Sequence, residues 1–178
     1  MDIKTAQAEC RHCFVGGGPG VIVSGFVWFA AAIVLASAGT TTAFLTLFFG
    51  GMAIAPVAMG IERVVLGRPA PSPDNALPAI GFETVFAMIG GLIAAFLFLK
   101  HSPPLVFPVA AIAIGTRYFT FATLFGTRVF YLLGGLIVAI GAASIWGKAD
   151  LPVSVPLAVA VTELVFGFVL TVAYSRRG

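Results

Sequence analysis

Six apolar runs, each about as long as a helix that crosses a membrane, dominate this chain and leave little room for any other fold. They cover about residues 19–38, 41–66, 77–99, 105–126, 129–147 and 152–174. A hydrocarbon core about 30 Å thick takes roughly 20 apolar residues in helical form. Barrel strands are about half that length, and lipid does not tolerate unpaired backbone groups, so runs of this kind are helices. Composition points the same way, with 60% hydrophobic and 10% charged residues against the roughly 45–50% and 25% of an average soluble domain. So thin a polar coat excludes cytosolic enzymes, nucleic-acid modules and disordered chains.

The expected fold is an all-α polytopic transmembrane helix bundle with six spans over residues 19–178, preceded by an interfacial segment and hinge over 1–18. Breaks between the runs agree with it. Residues 68–75 form a proline-rich polar linker, Ser102-Pro103-Pro104 and Lys148-Ala149-Asp150 are tight turns, and Ala38-Gly39-Thr40 joins the first two runs. Ala36-Ser37-Ala38 resembles a signal-peptidase site, but we read the first run as a retained helix.

Charge placement orients the bundle. With a cytoplasmic N-terminus, six spans put Lys4, Arg11, Arg63, Arg68, Arg128, Arg176 and Arg177 inside, with Arg117 nearer that side, and only Lys100 and Lys148 outside. This asymmetry predicts that both termini are cytoplasmic and that the protein is a multi-pass protein of the inner (plasma) membrane. The net charge of +3 then follows from topology and calls for no nucleic-acid partner. Trp146 and Tyr174 sit near helix ends, where aromatic anchors lie.

Before the first run, Ile3, Ala6, Cys10, Cys13 and Phe14 recur at spacings of three and four, with Asp2, Lys4, Thr5, Glu9 and His12 on the other side. That is the pattern of a short helix in the membrane interface. Gly16-Gly17-Gly18-Pro19-Gly20 ends it and turns the chain inward; with no Lys-Ser/Thr ending it is a hinge, not a phosphate loop. Cys10, His12 and Cys13 resemble metal ligands in the linear sequence. On a helix, however, His12 points roughly 200° away from Cys10, and structural zinc wants four ligands. The two cysteines read as small buried thiols, and no metal or cofactor is expected.

The informative residues are charges within the spans, each costly in lipid unless paired or hydrated. Glu83 lies six residues into the third run, about 9 Å deep, and Arg117 about nine residues from the inner end of the fourth, about 13 Å deep. Glu163 falls near the middle of the sixth. We expect Glu83 and Arg117 to pair, with Glu163 as a second acceptor or a separately titrating carboxyl of the kind proton-coupled carriers use. Thr116, Thr120, Thr123 and Thr127 continue along the fourth run, and Tyr118 adds a hydroxyl. This stripe faces a polar cavity or a neighbouring helix. Glu62 and Arg63, about one turn from the inner end of the second run, read as snorkelling ends.

Small residues four apart allow close helix approach within or between subunits: Ala87, Gly91 and Ala95; Ala32 and Ala36; Ala111 and Gly115. Pro56, Pro108 and Pro156 are candidate kinks. A faint echo links Glu83-Thr84-Val85-Phe86 to Glu163-Leu164-Val165-Phe166, as in inverted-repeat carriers. Catalytic constellations are sparse. The aspartates Asp2, Asp74 and Asp150 form no paired motif, Val23-Ser24-Gly25 lacks an intramembrane histidine base, and His12 and His101 lie on opposite sides. Enzymatic activity is therefore not the favoured reading.

Gly17-Gly18 with Ser24-Gly25 and Trp28, Phe49-Gly50-Gly51 with Pro56, Pro108 with Gly115, and Tyr131 before Gly134 form a skeleton that resembles a family of small bacterial multi-span proteins of unknown function. The resemblance spans most of the chain and implies no activity. The residues themselves favour a carrier or permeation protein for a small solute, ion or lipid. Its cytoplasm-facing polar cavity would be lined by Glu83, Arg117, Glu163, Thr116, Tyr118 and Thr120. The competing class is a non-catalytic accessory subunit of a larger membrane complex. Expected partners are membrane lipids and, through the small-residue faces, a second copy or other membrane subunits.

Overall fold

The computed structural model describes residues 1–146 and 153–175. The expected turn at Lys148-Ala149-Asp150 and the charges Arg176 and Arg177 lie outside the described residues. All regular elements among the described residues are helical: α1 (Ile3–Cys13), α2 (Gly18–Gly60), α3 (Leu77–His101), α4 (Val106–Phe125), α5 (Val129–Trp146) and α6 (Val155–Ser175). Short 3₁₀ turns at Val15–Gly17 and Pro103–Leu105 and a π-helical turn at Ile61–Val65 complete the path.

Five helical segments are long and apolar enough to cross a membrane, the first being Val15–Val65, where the sequence suggests six. The difference arises at Gly39, where the first two runs meet without an intervening loop. That glycine alone leaves helical geometry, at φ 81° and ψ 176°, a conformation essentially confined to glycine. The chain reverses there. A straight helix would hold Gly20 and Ala58 roughly 57 Å apart, yet a Cβ at Gly20 would lie 3.9 Å from that of Ala58, and Gly50 abuts Val27. α2 is therefore a hairpin with arms 18–38 and 40–60.

Glycines set the closest approaches between helices. In the first arm, Gly18 lies against Thr171 of α6 and Gly25 against Leu164, while Gly167 of α6 lies against Ile22. Gly115 of α4 faces Val138 and Gly134 of α5, and Gly91 of α3 faces Ala113. Where apolar lipid competes with apolar side chains, such close packing supplies much of the association. Contact is accordingly extensive between α2 and α6, α4 and α5, and α3 and α4, but slight between α2 and α3.

One end of the bundle is closed by α1. Its Asp2 caps the helix by accepting from the amides of Lys4 and Thr5. Gly16 and Gly17, at φ 60° and 80°, turn the chain from α1 into α2 as the glycine run implies. Gly16 lies directly beneath the Tyr174 ring. Gln7 donates to the Thr123 carbonyl at 2.7 Å and Arg11 to that of Phe125 at 2.5 Å, so α1 caps the C-terminus of α4. The linker after α2 latches onto α1 through Glu9, which accepts from the Ser72 amide and Asn75 Nδ2. Arg63 donates to the carbonyls of Cys13 and Pro69, and Arg68 to that of Ser175, the last residue of α6. Arginines that the sequence offers only as topology markers thus neutralise the negative ends of three helices. Cys10 and Cys13 are buried beneath α1.

Candidate functional site

The gap between α2 and α3 holds a cavity of about 320 Å³, walled by both arms of α2, by α3 and by α4. Helical periodicity decides what faces it. Gly51, Ala55, Ala58 and Glu62 follow one another at spacings of four, three and four, and Val21, Ser24 and Trp28 at three and four; all line the cavity. Met88, Leu92, Ile114 and Phe121 supply much of the apolar wall on α3 and α4.

Five polar side chains interrupt that wall: Ser24, Trp28, Glu62, Arg117 and Tyr118. Arg117 reaches across to α3, donating from Nε to Thr84 Oγ1 at 3.2 Å and from Nη2 to the Gly81 carbonyl at 3.2 Å. Its guanidinium also lies over the Phe121 ring at 5.0 Å. Glu62 sits in the π-helical turn and is only 3% exposed, with Oε2 buried and without a hydrogen-bond partner. Trp28 is fully buried, and its Nε1 is likewise unpartnered. A π-turn shifts the register of the side chains after it, here in the turn that carries Glu62 inward.

Behind the cavity, Tyr118 donates its hydroxyl to Glu163 Oε1 at 2.7 Å. Glu163 is fully buried, its Oε2 is unpartnered, and the Ser24 hydroxyl adjoins both side chains. Tyr118 and Ser24 therefore stand between the cavity and a carboxyl that no solvent reaches directly.

The expected site residues divide. Arg117 and Tyr118 line the cavity, and Glu163 lies just behind it. The expected Glu83–Arg117 pair is not formed. Gly81, Thr84 and Met88 share the helix face toward Arg117, which places Glu83 about 100° away from Thr84, on the exposed outside of the bundle. Thr116 is exposed and bonds the Ala113 carbonyl of its own helix, and Thr120 is half-buried and does not line the cavity. Since Glu83 is exposed and Glu163 fully buried, the sequence echo does not correspond to matching environments. Glu62, read from sequence as a snorkelling end, instead faces inward. Its spacing from Gly51, Ala55 and Ala58 is the signal that could have found it.

On α1, His12 is exposed and contacts Arg68 across 3.2 Å, while Asn75 Nδ2 reaches Cys10 Sγ at 3.5 Å. Burial pushes both the Cys10 and the Cys13 thiols above the ordinary value of 9.0. Among the described residues, no group of three or more His, Cys, Asp or Glu side chains is placed to hold a metal ion.

Long apolar helices packed around a cavity that carries buried charge define an integral membrane protein of the helical class. More particularly, the chain belongs to the DUF7010 family, a family of unknown function whose model matches residues 3–173. No curated protein and no solved structure matches it.

Proposed function

We propose that this protein is a carrier or permeation protein of the inner membrane, crossing it six times with both termini in the cytoplasm. The observation that carries the reading is the cavity, whose wall includes the cation Arg117 and two side chains, Glu62 and Trp28, that each hold a buried polar atom without a hydrogen-bond partner. Buried polar groups without partners are rare in structural packing and costly in lipid, so they suit a site that receives a ligand. The reversal of α2 at Gly39 supports counting its two arms as two crossings. Arg11, Arg63 and Arg68 share the end closed by α1, while Lys100 and His101 end α3 at the opposite side; the positive-inside rule then orients the bundle. Glu163, reached through Tyr118 and Ser24, is the proposed coupling carboxyl.

Thiol accessibility tests this without a known substrate. In a Cys10→Ser, Cys13→Ser background in proteoliposomes, Ser24→Cys should react with a membrane-impermeant thiosulfonate, while Val169→Cys, on the outside of α6, should not. Failure of Ser24→Cys to react from either side, with other subunits co-purifying in fixed ratio, would replace the carrier with an accessory subunit.

A further inference from the structure

The cavity opens sideways. Among its lining residues, Met52 of the second α2 arm is 61% exposed and Phe82 of α3 is 67% exposed; both lie on the flank of the bundle, where α2 and α3 scarcely touch. The end of the bundle beneath the cavity is covered by α1 and the latched linker, with Phe14 and Gly17 forming its floor. A ligand therefore reaches the cavity most directly from the acyl-chain region, which selects amphiphiles over hydrophilic solutes.

The polar groups stand in a definite order along the bundle axis. Glu62 is outermost, beside the floor. The Arg117 guanidinium comes next, held by Gly81 and Thr84 in the first two turns of α3. Trp28 is deepest, since Val27 is level with Gly50 and Glu62 lies twelve residues beyond Gly50 on that arm, roughly 18 Å at helical rise. Three of the five guanidinium N–H groups have partners, leaving two to bind an anion. From interface to core, the sequence is an anionic acceptor, a cationic donor and a neutral donor. A glycerophospholipid with a primary amine presents the complement of the first two in the same order, ammonium and then phosphate, with its chains beyond them at the depth of Trp28.

Resting on the carrier reading, we propose that the ligand is an aminophospholipid drawn laterally from the α1-side leaflet. Its ammonium sits on Glu62 Oε2 and its phosphate on Arg117, while its chains run past the level of Trp28 and leave between Met52 and Phe82. The buried Glu62 Oε2 gains a partner in this arrangement, and the charges of Glu62 and Arg117 are both matched.

Trp28 reports on the site. In Trp146→Phe protein, which keeps Trp28 as its sole tryptophan, reconstituted in phosphatidylcholine vesicles, acyl-brominated phosphatidylethanolamine and phosphatidylglycerol are compared as quenchers at equal mole fraction. Phosphatidylethanolamine should be preferred by about tenfold, the usual worth of one charge-assisted hydrogen bond. Glu62→Gln should bring the ratio close to one, and Arg117→Gln should weaken quenching by both lipids; monodisperse elution and unchanged helicity confirm that each variant is folded. Equal quenching by the two lipids, or a preference that survives Glu62→Gln, overturns the assignment. Absence of quenching alongside aqueous labelling of Ser24→Cys rejects the lipid while leaving a solute carrier. Quenching without labelling keeps the lipid site, and fixed-ratio co-purification of other subunits would then reject the carrier reading.

Discussion

Tyr118 donates its hydroxyl to Glu163 across 2.7 Å inside the bundle, joining α4 to α6 at a point where Glu163 is fully buried and Tyr118 nearly so. Tyr118→Phe strips Glu163 Oε1 of its donor and leaves the adjoining Ser24 hydroxyl to serve the carboxyl. Stranding a buried acceptor costs about 1–3 kcal/mol. The variant should lose that much in unfolding titrations in mixed micelles. Tyr118→Phe with Glu163→Leu should cost less than the sum of the two single changes; strict additivity would show that the bond contributes nothing.

Gly39 is expected to be sensitive although it has space. Nothing lies within 4 Å of a Cβ built there, but its φ of 81° is hostile to any other residue. Gly39→Ala should therefore destabilise the protein by about 1–3 kcal/mol. Gly90→Ala, also unobstructed but within the regular helix α3, should stabilise it by about 0.5–1 kcal/mol. Equal effects on melting temperature in detergent would contradict the reversal at Gly39.

The seam between the first α2 arm and α6 is limited by sterics. A Cβ at Gly18 would lie 2.6 Å from the Thr171 amide nitrogen, and one at Gly167 would lie 2.8 Å from that of Ile22. Neither backbone can move aside without separating the helices. Each alanine variant should lower stability by at least about 1–3 kcal/mol, the range for overpacking, and the two should not add, because both open one seam. Their folded yield after detergent extraction and their melting curves check this.

Docking of α1 should be readable through its two thiols. Cys10 and Cys13 are 0% and 1% exposed, and burial raises both above 9.0, so maleimide should label them slowly at neutral pH. Arg11→Ala removes the bond to the α4 C-terminus and should speed labelling several-fold by releasing α1, at about 0.5–2 kcal/mol. The pH dependence has a definite sign. The docked form keeps protons that the released form gives up, so docking is fully stabilised below the ordinary thiol value and weakens as pH climbs above it. Labelling should thus accelerate above about pH 9 more than thiolate formation in a free peptide accounts for.

Gly39 and Glu62 show where reading the sequence succeeds and where it stops. The break at Gly39 is local, since a glycine between two long apolar runs marks a reversal before any contact is known. The positive φ of Gly16 and Gly17 is local in the same way. Glu62 was not legible, because its distance from the end of an apolar run suggests a snorkelling side chain, and only the π-turn and the wall opposite turn it inward. The Glu83–Arg117 pair failed similarly, as depth along two helices says nothing about rotation around them.

The chain by itself determined that it is helical and apolar over lengths that can cross a membrane, because hydrophobic length and backbone hydrogen bonding depend only on neighbours in sequence. Tertiary packing decided which charges point inward, which arginines cap helix ends, and that α2 and α3 part to leave a cavity. Those outcomes follow from how helices rotate and fit against one another, a property of pairs of surfaces that no single apolar run contains.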